Sequence, residues 1–113
     1  MKSKTNVNQR ILIVEDDFHT SKILKTNLEK EGYEVDVARS GDNALDKLKL
    51  SVPDLIISDI MMPGLDGFAL RNKLLLNPEH RIIPFIFLTA KGNIKEKIAG
   101  YKLYVDGYVV KPY

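Results

Sequence analysis

Two runs constrain the fold of this chain more than anything else in it: Arg10–Val14 (RILIV) and Pro84–Leu88 (PFIFL), which are apolar at almost every position. A strand with one face in water alternates apolar and polar residues, whereas an unbroken apolar strand has to be covered on both faces. A third run, Leu55-Ile56-Ile57, ends at Ser58-Asp59, and Ile60-Met61-Met62 then leads into a Pro63-Gly64 turn. By contrast, Tyr33-Glu34-Val35-Asp36-Val37 alternates at period two and predicts an edge or half-exposed strand. Tyr108-Val109-Val110 makes a fifth predicted strand.

Between the strands the spacing turns helical. Phe18, Ile23, Leu24 and Leu28 predict a first helix stopped by Gly32. Ser40 can cap a second, carrying Ala44, Leu45 and Leu48 and closing before Pro53. From Gly67 a third presents Phe68, Leu70, Leu74 and Leu75 and ends at Asn77-Pro78, and a weaker fourth runs from Asn93 to about Lys102. Parallel strands need a crossover of this kind each time, so five strands alternating with four helices predict an α/β fold with a doubly wound parallel sheet.

Such sheets bind ligands just outside the carboxyl ends of their strands. Glu15 and Asp16 follow the first strand, Asp59 the third, Thr89 the fourth and Lys111 the fifth. One rim would then hold three carboxylates, a hydroxyl and an ammonium. Each has an ordinary reading when taken singly: Asp59 as a turn cap, Thr89 as a β-branched strand residue, Lys111 as a solvated lysine, Tyr108 as a core aromatic. Asp17 and Asp66 suit helix starts, and Met61-Met62 reads as a soft apolar step. His19 and His80 are single, lie far from these positions, and receive no role.

Carboxylates about 4 Å apart repel by roughly 1 kcal/mol in water and about 4 kcal/mol at an effective dielectric of 20, so the cluster calls for a counter-charge. Mg²⁺ takes oxygen ligands, keeps several waters, and is commonly held by one or two carboxylates together with phosphate oxygens. The chain has no GxxxxGK[ST] and no GxGxxG, so a phosphate would be bound by metal, lysine and backbone amides. Phosphoryl transfer asks mostly for positioning and charge neutralisation. Asp59, alone at the end of the middle strand, is the best-placed nucleophile, and the Glu15-Asp16 pair is better suited to metal.

Composition closes off the alternatives. At 113 residues the chain is a single domain, and 44% hydrophobic with 28% charged residues is ordinary for a globular protein. A net charge of +2, with the basic residues interspersed among acids, supports neither a nucleic-acid nor a membrane partner. Without cysteine there are no disulfides, thiolate metal sites or cysteine nucleophiles. No apolar run nears the roughly 20 residues that span a bilayer, and a cytoplasmic location is expected. Residues 1–9 read as a flexible tail and 10–113 as the domain.

The segments VEDD (Val14–Asp17), DIMMPGLDG (Asp59–Gly67), FLTA (Phe87–Ala90) and YVVKPY (Tyr108–Tyr113) together resemble the four signatures of the receiver domain of two-component response regulators, in order and in spacing, from about Arg10 to Tyr113. The resemblance implies the flavodoxin-like strand order 2-1-3-4-5. It implies that Asp59 accepts a phosphoryl group from a sensor histidine kinase or a histidine phosphotransfer protein. Asp16, Asp59 and the Met61 carbonyl would ligate Mg²⁺ or Mn²⁺ directly, with Glu15 acting through water. Lys111 would pair with the phosphoryl oxygens, Thr89 and Ala90 would belong to the phosphate-binding switch, and Tyr108 would move inward after Thr89. The Lys111-Pro112 bond would be cis. A domain of this kind is not an enzyme beyond Mg-dependent self-phosphorylation and self-dephosphorylation, and it would switch a helix 4/strand 5 surface to control a partner or output domain.

Tyr104-Val105-Asp106-Gly107 departs from the usual Gly-Ala-Asp-Asp/Gly, which predicts an altered loop and bears on partner choice. Glu15 for Asp is a frequent variation. Receivers continue into a fifth helix, which this chain lacks; a sheet face bare beside helix 1 would expose an apolar patch of several hundred Å². The expectation is a fragment of a longer regulator, or a homodimer through that face or through the helix 4/strand 5 face. Two rival functions remain: a receiver-like interaction module that is never phosphorylated, and a phosphohydrolase. The hydrolase usually needs a second acid two residues after the nucleophile, where this chain has Met61; with Lys91 also flanking the water path, a long-lived phosphoryl group is expected.

Overall fold

The computed structural model describes residues 9–89 and 106–110. The elements run β1 (Arg10–Val14), α1 (Phe18–Lys30), β2 (Glu34–Ala38), α2 (Gly41–Leu50), β3 (Leu55–Asp59), α3 (Gly67–Leu75), β4 (Phe85–Thr89) and β5 (Gly107–Val110). The five strands form one parallel sheet in the order β2-β1-β3-β4-β5, the doubly wound arrangement the sequence predicts. β1 has the limits read off the sequence, and the limits of the other strands differ by no more than a residue or two. The fourth helix, Ala90, Lys91, the Tyr104-Val105 departure, the Lys111-Pro112 bond and residues 1–8 of the tail lie outside the described residues; Gln9 already joins the sheet, its carbonyl accepting the Glu34 N–H at 2.9 Å.

Side chains of β1 alternate between two cores, as an unbroken apolar strand requires. Leu12 and Val14 join Ile56, Phe85 and Phe87 under α2 and α3, which contribute Ala44, Leu48, Leu70 and Leu74. Ile11 and Ile13 join Ile57 and Leu88 on the other face, where Leu24 and Leu28 of α1 pack. Burying each such side chain is worth about 1.5–3 kcal/mol. The edge strand β2 keeps its polar alternates in solvent, and Asp36 uses them to shield the edge: its carboxylate accepts the Val37 N–H at 2.9 Å and pairs with Lys47 at 3.1 Å.

Helix starts follow local chemistry. Asp17, Ser40 and Asp66 cap α1, α2 and α3 by accepting the N–H groups of Thr20, Asn43 and Ala69. Gly32, at φ 97°, ends the turn after α1 in a conformation few other residues adopt. The first helix forms as its spacing predicts, and of the four residues that carry that spacing Phe18 and Ile23 are 56% and 53% exposed. Leu24 and Leu28, one turn apart, suffice to cover the β1 and β2 face, and the helix has turned Phe18 and Ile23 away.

Candidate functional site

Strand register brings the acids together. Val14 pairs with Ser58, so one further residue along both strands sets Glu15 abreast of Asp59, and Asp59 in turn pairs with Leu88 of β4. Thr89 follows on the same rim, paired with Val110, and Tyr108 sits opposite Phe87. Ligand oxygens of Glu15, Asp16 and Asp59 all lie within 4.8 Å of one another, the one grouping among the described residues with the number and closeness a metal needs. Glu15 and Asp59 are buried, at 1% and 8% exposure, and Asp16 opens to solvent.

The buried members are oriented from the backbone. The Ile60 N–H donates to Asp59 Oδ1 at 2.8 Å, and the Ser58 hydroxyl donates to the Asp59 carbonyl oxygen at 2.8 Å. Glu15 Oε2 accepts the Asp17 N–H at 3.1 Å, and the Glu15 N–H donates to the Ala38 carbonyl at 2.9 Å. Asp17 serves the start of α1: its Oδ2 takes the N–H and hydroxyl of Thr20, at 2.8 and 2.6 Å. The donor set is all oxygen and open on the Asp16 side, which fits a hard cation such as Mg²⁺ and not a thiophilic or imidazole-seeking metal. Carboxylates this close repel one another, and a divalent ion would relieve that.

Of the other sequence-derived candidates, Met61 lies two residues past Asp59 with its side chain 78% exposed. Thr89 and Tyr108 are placed by their strands, while Ala90 and Lys111 fall outside the described residues. Sequence reasoning assigns no role to Ser58, whose hydroxyl holds the Asp59 main chain, and reads Gly67 only as a helix start within a signature, whereas its N–H donates to the Ile60 carbonyl at 2.8 Å and closes the loop after Asp59.

Sheet order and acid cluster together define an acid-rimmed, doubly wound α/β domain whose functional groups sit at the carboxyl ends of β1 and β3. A model of the response regulator receiver domain matches residues 11–113. The phosphate regulon transcriptional regulatory protein PhoB of Rhizobium meliloti is 43% identical over 104 residues, which are 92% of this chain and 46% of that protein. A putative response regulator from Chloroflexus aurantiacus superposes with a TM-score of 0.88 at 36% identity, covering 95% of this chain and 88% of that one. The response regulator TrrA of Thermotoga maritima, solved in complex with Mg²⁺-BeF, superposes with a TM-score of 0.81 at 34% identity, covering 93% and 88%. This chain belongs to the response regulator receiver domain family. It spans less than half the length of the curated relatives it matches. Among the described residues no helix is long and apolar enough to cross a membrane.

Proposed function

We propose that Asp59 is the phosphoryl acceptor of this receiver domain, that the donor is a phosphohistidine of a sensor kinase or phosphotransfer protein, and that the reaction requires Mg²⁺ or Mn²⁺ held by Glu15, Asp16, Asp59 and the Met61 carbonyl. The observation that supports it best is the convergence of Glu15, Asp16 and Asp59 from two parallel strands to within 4.8 Å. When bound, the ion neutralises the cluster and the incoming phosphoryl oxygens. An Asp59 carboxylate oxygen forms the new P–O bond in line with the breaking P–N bond, and the released imidazole takes its proton from solvent. The Ile60 N–H restrains the acceptor carboxylate and the Ser58 hydroxyl its main chain as charge moves.

Lys111 supplies a cation to the phosphoryl oxygens, and Thr89, Ala90 and Tyr108 carry the switch. Phosphorylation then redistributes two pre-existing states, because the phosphoryl group interacts differently with each. The domain spans residues 10–113, acts in the cytoplasm, and passes the change to a partner or output domain through the helix 4/strand 5 surface.

Incubation of the protein with Mg²⁺ and acetyl phosphate, followed by intact mass measurement, tests this. One phosphoryl adduct per chain is expected, absent without metal and absent in Asp59→Asn. No adduct would leave a phosphorylation-independent interaction module, and continuous consumption of acetyl phosphate without an adduct would mark a hydrolase.

A further inference from the structure

The loop that follows Asp59 is pinned at two points where a side chain is missing. At Gly67, a Cβ would overlap the Asp59 carbonyl oxygen and lie 2.8 Å from the Ile60 Cα and 3.2 Å from the Asp59 carbonyl carbon, all of them backbone atoms that cannot swing aside. At Gly41, the first residue of α2, a Cβ would lie 2.6 Å from the Leu65 carbonyl oxygen and 2.9 Å from both Leu65 Cβ and Cδ2. Neither glycine needs a left-handed backbone; what each supplies is room. Gly64, by contrast, turns the loop at φ 74°.

These contacts form a continuous path. Ser40 caps α2 through the Asn43 N–H at 3.0 Å and so fixes where Gly41 stands. Gly41 fixes Leu65, the next residue Asp66 caps α3 through the Ala69 N–H at 2.8 Å, and Gly67 then presses on the Asp59 main chain and bonds to Ile60. The loop between Ile60 and Gly67 is therefore a closed ring held from α2 on one side and from β3 on the other. Met61, whose carbonyl the proposed function makes a metal ligand, sits in that ring.

We infer that Gly41 is a positioning residue for the acceptor site: its bare Cα against Leu65 sets the loop that carries the Met61 carbonyl, although Gly41 belongs to a different element from every member of the acid cluster. The inference rests on the proposed function, since it concerns the metal that function requires. A Cβ at position 41 forces either Leu65 or the start of α2 to move by tenths of an ångström or more, and groups that orient metal ligands at one remove commonly change affinity 10- to 100-fold. Because β1 and β3 are untouched, the acids remain in place and only the loop's contribution is lost.

The test is Mg²⁺ titration of the protein, followed through backbone amide shifts by NMR, for wild type, Gly41→Ala and Gly107→Ala, with thermal melting of each. Among the described residues nothing lies within 4 Å of a Cβ built at Gly107, so its variant controls for the substitution itself. Gly41→Ala is expected to bind Mg²⁺ about tenfold more weakly, with shifts spread over 61–67, and Gly107→Ala within about twofold of wild type. Leu48→Ala, a core variant on the same helix, should lower the melting temperature and leave Mg²⁺ affinity alone, which separates positioning from general loosening. If Gly41→Ala does not fold, Leu65→Gly relaxes the same contact from the other side and should weaken Mg²⁺ at least about threefold. Unchanged affinity in a folded Gly41→Ala, or in Leu65→Gly where it stands in, overturns the inference while the proposed function stands. Wild type that binds no Mg²⁺ overturns the metal reading and this inference with it.

Discussion

Met61, two residues past Asp59, offers no base. Its thioether is 78% exposed and neither accepts nor donates a proton usefully, so hydrolysis of an acyl phosphate on Asp59 would run without general-base help from this position. We expect the phosphoryl group to be long-lived, and Met61→Glu to shorten its lifetime by about tenfold or more. Decay of the intact-mass adduct after removal of acetyl phosphate measures both; equal decay in the two proteins would place the rate-limiting contact elsewhere. Glu15, Asp16 and Asp59 were legible as a group because each follows an apolar run, and parallel register carries such residues to one rim. Ser58 was not: a serine inside a strand gives no sign that its hydroxyl will reach the next carbonyl. Gly41 and Gly67 read as helix starts, because what they make room for is set by tertiary packing and not by their neighbours in sequence.

Among the elements, α3 and β4 meet through an unexpected group. Arg71 is 4% exposed, and its guanidinium lies 5.1 Å from the centre of the Phe85 ring. Burial holds its pKa below the ordinary arginine value, and Asp106 acts in the opposite direction. Asp106 also ties the start of β5 to β4: its carboxylate accepts the Phe85 N–H at 2.8 Å, and its own N–H donates to the Phe85 carbonyl at 2.8 Å. Asp106→Ala removes an acceptor from a part-buried N–H and a carboxylate from the field of a buried cation, and should cost about 1–3 kcal/mol. Chemical denaturation gives the value; a change under about 0.5 kcal/mol would mean β5 is held by other contacts. Apolar spacing announced every described helix and strand here, yet it is silent on Arg71, because period alone cannot tell a guanidinium laid over an aromatic ring from one in water. The same limit explains Phe18 and Ile23, which match helical spacing and still face outward.

For the molecule as a whole, the acid cluster is where a bound cation should add stability. The sheet and its two apolar cores fix β1 beside β3 and so bring three carboxylates, two of them buried, within 4.8 Å of one another. Anything that binds the folded cluster and not the unfolded chain stabilises by mass action, about 2.7 kcal/mol at one hundred times Kd. For a domain of this size each kcal/mol moves the melting temperature by roughly 4–8 °C, so saturating Mg²⁺ should raise it by roughly 10–20 °C. Asp16→Asn separates the two halves of this argument. Asp16 is exposed and its removal relieves one repulsion, so the metal-free variant should melt a few degrees above metal-free wild type, yet it should gain far less from Mg²⁺. Thermal melts with and without Mg²⁺ at constant ionic strength read both effects, since screening by added salt would otherwise mimic the first. A wild-type melting temperature indifferent to Mg²⁺, or an Asp16→Asn variant that gains as much as wild type, would mean the carboxylates are compensated from within the protein, and the cluster would lose its claim to a metal.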